Sequence, residues 1–206
     1  MTAAWMREEE ADLAAQKILV GAARAFVELG VSGAGMSEIA RYAGCSRGTL
    51  YRYFKNRHAL HLAFVNDCAM RLVAELRVEV RGIVDPAERL TEYIVQAVQK
   101  VRDDPSMAAW FEPSESGIAA RMSRSSEVIA CLADAFVSNL EPEERDASSS
   151  AVRAHWMVRV IVSLLTMPAD SLEEERALIE RFLVPSVLAT GAGPGSAALA
   201  AQGSSS

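Results

Sequence analysis

Cysteine and histidine are both scarce in this chain, at three of each in 206 residues. Cys45, Cys68 and Cys131 lie far apart, with no Cys-x-x-Cys pair and no clustered histidines. That argues against a disulfide framework and a zinc-type ligand set, so no metal or cofactor is expected. Aromatic residues make up only 6% of the chain, and neither Asn-Gly turns nor strand-like alternation occur, so hairpins are not expected. No apolar run approaches the roughly 18 residues of a membrane span. The most apolar run, 158–167, is interrupted by Arg159. The start of the chain, with Arg7 followed by Glu8, Glu9 and Glu10, is unlike a signal peptide. A cytoplasmic protein with no membrane partner is therefore expected. Gly-x-Ser-x-Gly and phosphate-loop motifs are missing too, and His58, His61 and His155 show no nucleophile pairing, so no catalytic residue is nominated.

What the chain does have is apolar content, at 50%, and abundant alanine. Both suit an all-α fold. The most informative stretch is 36–57, read as two short helices joined by a tight turn. Gly35 is a tolerable N-cap for the first, Glu38 complements its positive end, and Gly44 supplies the left-handed residue that stops it. Ser46 caps the second helix only two residues later. Leu50 and Phe54, spaced i and i+4, form its buried side. Its other side carries Arg47, Gly48, Thr49, Tyr51, Arg52 and Tyr53, with Lys55 and Arg57 just beyond. Five basic residues against the single acid Glu38 make this stretch +4 in a chain of net charge −6. A basic patch on an acidic protein points to a local polyanion partner. Gly48 is costly in a first helical turn, by about 1 kcal/mol relative to alanine. Close approach of another surface would explain it.

This run resembles the DNA-binding signature of the TetR (tetracycline repressor) family of bacterial regulators. The residues that carry the likeness are Ile39-Ala40, Ala43-Gly44, Ser46, Gly48, Thr49, Leu50, Tyr51, Tyr53, Phe54, Lys55, Arg57 and Leu60. The resemblance covers roughly the first third of the chain. It implies a three-helix helix-turn-helix domain, 1–57, followed by a helical ligand-binding and dimerisation body, 58–190. It also implies double-stranded operator DNA as partner, a small-molecule effector, and a homodimer through the last two helices. The expected DNA-contacting residues are Ser37, Arg47, Gly48, Thr49, Tyr51, Arg52, Tyr53, Lys55 and Arg57. Ser37 stands in for the threonine that the family usually has at the position of Gly35.

Apolar spacing predicts a first helix from about Arg7 to Leu29, ended by Gly30, and a fourth from Asn56 to about Arg81. Further helices are expected over 87–103, around 107–111, and from 118 or 126 to 140. The helix from about Glu143 to Met167 is apolar well around its circumference, which implies burial on more than one face. The last helix begins at Ser171 and carries Pro185 as a kink or terminus. The tail, 191–206, lacks charge and is expected to be disordered. Met107, Trp110, Phe111, Met122 and Cys131 are the expected apolar pocket residues, with His155 and Arg159 as its polar groups. The leading functional expectation is a ligand-responsive transcriptional regulator, in the family's usual mode a repressor of a palindromic operator. The alternative is a small-molecule sensor that acts mainly through a protein partner and binds DNA weakly.

Overall fold

The computed structural model describes residues 2–140 and 147–188. The expected helix start near Glu143 and the tail expected to be disordered, 191–206, lie outside the described residues. Among the described residues the fold is all-α. Helices α1 (Thr2–Gly33), α2 (Met36–Tyr42) and α3 (Arg47–Tyr53) form the N-terminal unit, and α4 (Arg57–Glu79) leads out of it. The body comprises α5 (Pro86–Asp103), α6 (Pro105–Ala108), α7 (Ser116–Ser125), α8 (Glu127–Ser138) and α9 (Ala147–Thr166). It ends with α10 (Leu172–Leu178), a π-helical turn (Ile179–Leu183) and α11 (Val184–Leu188).

Local chemistry sets most boundaries. Gly30, at φ 72 and ψ 160, breaks α1 one turn before its end. Asn56, Asp85, Asp104, Ser126 and Ser171 each cap the helix that follows them through a side-chain oxygen. Ser126 also decides between the two expected starts, 118 and 126, of the helix that runs to 140: its extended backbone separates α7 from α8. The short α6 starts at Pro105, earlier than the apolar residues suggest, because Asp104 accepts from the Ser106 and Met107 amides at 2.8 and 3.2 Å. Pro185 lacks an N–H for the carbonyl of Arg181, and the π turn falls over that carbonyl.

Two apolar clusters hold the molecule together. One joins α1–α3 through Ile18, Ala22, Phe26, Ile39, Leu50 and Phe54, and it runs on into Leu60, Phe64 and Cys68 of α4. The other builds the body from Leu76, Leu90, Ile94, Val98, Phe136, Met157, Leu164, Ile179 and Leu183. Helix α4 therefore belongs to both, its first half to one cluster and its second half to the other. Trp110, Ala119 and Met122, far along the chain, pack into the N-terminal cluster, and Met107 and Phe111 touch both.

The circumferential apolarity of α9 is only partly used within the chain. Met157, Leu164 and Leu165 are buried, whereas Val152 and Trp156 are exposed. Leu178 and Phe182 at the C-terminal end are exposed as well. The Trp156 indole N–H donates to Ser186 Oγ at 2.9 Å and ties the two helices together.

Candidate nucleic-acid interface and apolar cavity

The turn between α2 and α3 is built as its residues dictate. Gly44 has φ 66, where a Cβ would be strained. Ser46 Oγ accepts from the Thr49 amide at 3.0 Å and lies 2.9 Å from Thr49 Oγ1. Leu50 is fully buried and Phe54 nearly so, which fixes the roll of α3. The opposite side is open: Ser37, Arg47, Gly48, Tyr51, Arg52 and Lys55 are exposed, and Thr49 and Tyr53 are half-buried. The Arg47 guanidinium lies over the Tyr51 ring at 5.6 Å and that of Arg52 over Tyr53 at 5.3 Å. A Cβ on Gly48 would meet only Ser46 Oγ, at 3.8 Å. Nothing inside the protein asks for glycine there.

Behind this face, α1 and α2 cross in close contact. A Cβ on Gly21 would sit 2.5 Å from the Ala43 backbone. The sequence reading missed this crossing, and no local signal marks it.

Arg57 departs from the expected pattern. It is half-buried, and its guanidinium donates to the carbonyls of Val31 and of Ser32, the latter at 2.7 Å, where α1 ends. It is committed to the protein rather than presented with Lys55. From the other side, the buried Glu115 carboxylate accepts from the Ser32 amide at 3.0 Å and from the Ser32 hydroxyl. Residues 83 positions apart thus clamp the bend at Gly30 from two directions. His61 lies beside them, 5% exposed, with ring centroids 5.4 Å from Phe26 and 5.0 Å from Trp110. Burial, reinforced by the Arg57 and His58 charges, pushes the His61 pKa down to about 4, so the ring is neutral at pH 7.

A cavity of about 180 Å³ lies where the two clusters meet. It is lined by Phe64, Cys68, Leu72 and Leu76 of α4, by Tyr93, Ala97 and Val101 of α5, and by Ile129 and Leu132 of α8. Met157, Val158, Ile161 and Leu165 of α9 close it, with Met107, Trp110 and Phe111 at one side. Its few polar groups are neutral: burial pushes the Cys68 thiol up to about 11 and the Tyr93 hydroxyl up to about 12. Trp110 stacks on Phe64 at 5.8 Å, and its Nε1 is buried with no partner among the described residues.

Of the expected pocket residues, Met107, Trp110 and Phe111 line this cavity. Met122 does not: it is buried in the N-terminal cluster. Cys131 is exposed, because it lies on the outer side of α8. His155 and Arg159 do not line it: they are exposed on α9 and line an adjoining open groove of about 700 Å³ beside α7 and α8. The α4 contribution went unnoticed in the sequence, although Phe64, Cys68, Leu72 and Leu76 repeat at i, i+4 and would have shown it.

A capped two-helix turn with a basic, outward-facing second helix, held on a helical body with an apolar cavity, defines a helix-turn-helix regulator. Comparison with known proteins agrees. Residues 18–64 match the family described as bacterial regulatory proteins, tetR family. An uncharacterised HTH-type transcriptional regulator of Mycobacterium tuberculosis (H37Rv) is 44% identical over 183 residues, covering 89% of this chain and 90% of that protein. This chain belongs to the TetR family of transcriptional regulators. Solved structures share its fold at lower identity. The TetR family repressor AlkX of Dietzia, implicated in biodegradation of n-alkanes, is 19% identical with a TM-score of 0.62, over 84% of this chain and 94% of that one. FadR of Bacillus subtilis in complex with stearoyl-CoA is 17% identical with a TM-score of 0.59, over 83% and 98%. No helix of the described residues is long and apolar enough to cross a membrane.

Proposed function

We propose that this protein is a ligand-responsive repressor that binds a palindromic operator as a homodimer and is released by a small, largely apolar effector. The observation that carries the reading is the outward face of α3, basic in an acidic chain and free of any internal need for Gly48. Arg47, Thr49, Tyr51, Arg52 and Tyr53 meet base edges and nearby phosphates, and Lys55 and Ser37 hold the backbone. Arginine reads guanine bidentately, worth about 1–3 kcal/mol of discrimination, whereas phosphate contacts position the head without reading sequence. Arg57 contributes indirectly, by fixing α1 to α4.

Reading two half-sites needs two heads about 34–36 Å apart. The exposed Val152, Trp156, Leu178 and Phe182 on the last two long segments support a homodimer through them. The apolar cavity supports the effector, and relatives named for n-alkane degradation or bound to stearoyl-CoA favour an apolar one. Helix α4 supplies the coupling. It lines the cavity with Phe64 to Leu76 and carries the core of the head with Leu60 to Cys68. A ligand that favours one tilt of α4 moves the heads out of register with the grooves.

The test is selection of bound duplexes from a random pool with the wild type, Arg47→Ala and Arg52→Ala. The expected result is a palindrome whose preferred bases change in the variants, with affinity falling steeply as salt rises. Failure to enrich any sequence at moderate salt would sink the repressor reading.

A further inference from the structure

The apolar cavity and the open groove on α7–α9 meet. Ser123, Ile129, Val158 and Val162 line both. The two spaces differ in chemistry. Charged side chains are missing from the cavity lining, while the groove is lined by Arg124, Arg159 and His155. Among the described residues neither arginine has an ion-pair or hydrogen-bond partner. The acid in the groove, Asp134, already accepts from Ser150 Oγ at 2.7 Å. Three arginines of this chain do pair with acids, Arg71 with Asp67, Arg102 with Glu175 and Arg176 with Glu92, whereas Arg47 and Arg52 on the α3 face have only ring contacts among the described residues. Two unpaired guanidinium groups beside a wholly uncharged cavity form a site of opposed halves.

Building on the ligand-responsive reading above, we infer that the effector is an amphiphile with a short apolar tail and an anionic head. The tail occupies the cavity, and the carboxylate or phosphate head lies in the groove against Arg124 and Arg159. The planar guanidinium offers paired donors that match either oxyanion, so both arginines suit such a head. The tail length follows from the volume. A protein cavity of about 150 Å³ holds one benzene ring, so the cavity here takes about six to eight carbons. Each methylene buried within that length raises affinity about fourfold. Carbons beyond that length gain nothing from the cavity itself, because they must lie in the open groove, where they move the head away from the arginines, or displace the cavity walls. A purely apolar effector would leave the groove cations unused. A purely ionic one would leave the cavity empty.

Calorimetric titration of the full chain without DNA tests this with octanoate, octanoyl-coenzyme A, 1-octanol and dodecanoate. At least one of the two anionic eight-carbon probes should bind tenfold or more tighter than 1-octanol, and octanoate should bind tighter than dodecanoate. Whichever anionic probe is favoured tells a free acid from a thioester of a phosphorylated carrier. In Arg124→Gln/Arg159→Gln the preference over the alcohol should vanish. Equal binding of 1-octanol and both anionic probes would overturn the inference, as would no binding by any of them, or a preference that survives in the double variant. The wild-type ratios decide the matter even where the variant folds poorly. Duplex selection judges the regulator reading separately. A chain that selects an operator but binds 1-octanol as well as octanoate keeps its regulatory role and loses this site. One that prefers the anionic probes but selects no duplex keeps the site and loses the repressor.

Discussion

Gly48→Ala separates the needs of folding from those of DNA binding. Gly48 lies in the first turn of α3 and is not one of the positive-φ glycines, Gly30 and Gly44. An added methyl meets Ser46 Oγ at 3.8 Å, ordinary contact, and otherwise faces solvent. The substitution removes backbone freedom from the unfolded chain without strain in the folded one. It should stabilise the protein by up to about 1 kcal/mol. For a chain of this size that raises the melting temperature by about 2–4 °C. The same methyl projects from the face assigned to DNA. If the α3 backbone approaches the duplex closely there, operator affinity should fall at least about tenfold, or about 1.4 kcal/mol. Thermal unfolding by circular dichroism and fluorescence anisotropy with the selected operator measure the two effects on one sample. A variant that is more stable yet binds the operator with undiminished affinity refutes the close-approach argument. A less stable variant refutes the claim that nothing internal requires glycine.

Three other perturbations probe the framework. Gly21→Ala forces a methyl to within 2.5 Å of the Ala43 backbone, so α1 and α2 must separate; a loss of about 1–3 kcal/mol is expected in chemical denaturation. His61 has its folded pKa pushed down to about 4 from an ordinary 6.5, so the unfolded state binds more protons between these values. Stability should be full above pH 6.5 and decline towards pH 4 by on the order of 3 kcal/mol. His61→Phe should flatten that part of the pH profile, and an unchanged slope would show that other groups cause it. The Arg102 fork donates to both oxygens of the buried Glu175 carboxylate, at 3.0 and 2.6 Å, and to the Leu164 carbonyl at 3.0 Å. Arg102→Ala strands that carboxylate and should cost about 3 kcal/mol or more, with Arg102→Ala/Glu175→Gln recovering part of it.

Much of the reading head was legible because its signals are local. The Gly44 stop, the Ser46 cap and the Leu50/Phe54 pair act within a few residues of one another, and together they set the turn and the roll of α3. The same holds for the caps at Asn56 and Ser171, whereas the Asp104 cap that starts α6 was not read. The body was less legible. Periodicity places Met122, Cys131 and Trp110 on apolar helix faces, but it does not say which neighbour each face meets. Packing sent Met122 to the N-terminal cluster, Cys131 to the surface and Trp110 to the cavity wall.

Sequence by itself determined the all-α class, the helix-turn-helix and the basic face, because helix period, capping and charge are properties of neighbouring residues. Tertiary structure decided the role of Arg57 and the two-sided clamp at Ser32, whose partners lie 25 and 83 positions away. It also decided the cavity, which exists only where α4, α5, α8 and α9 leave space between side chains. Such a space is set by how whole helices pack, and no local stretch of sequence encodes it.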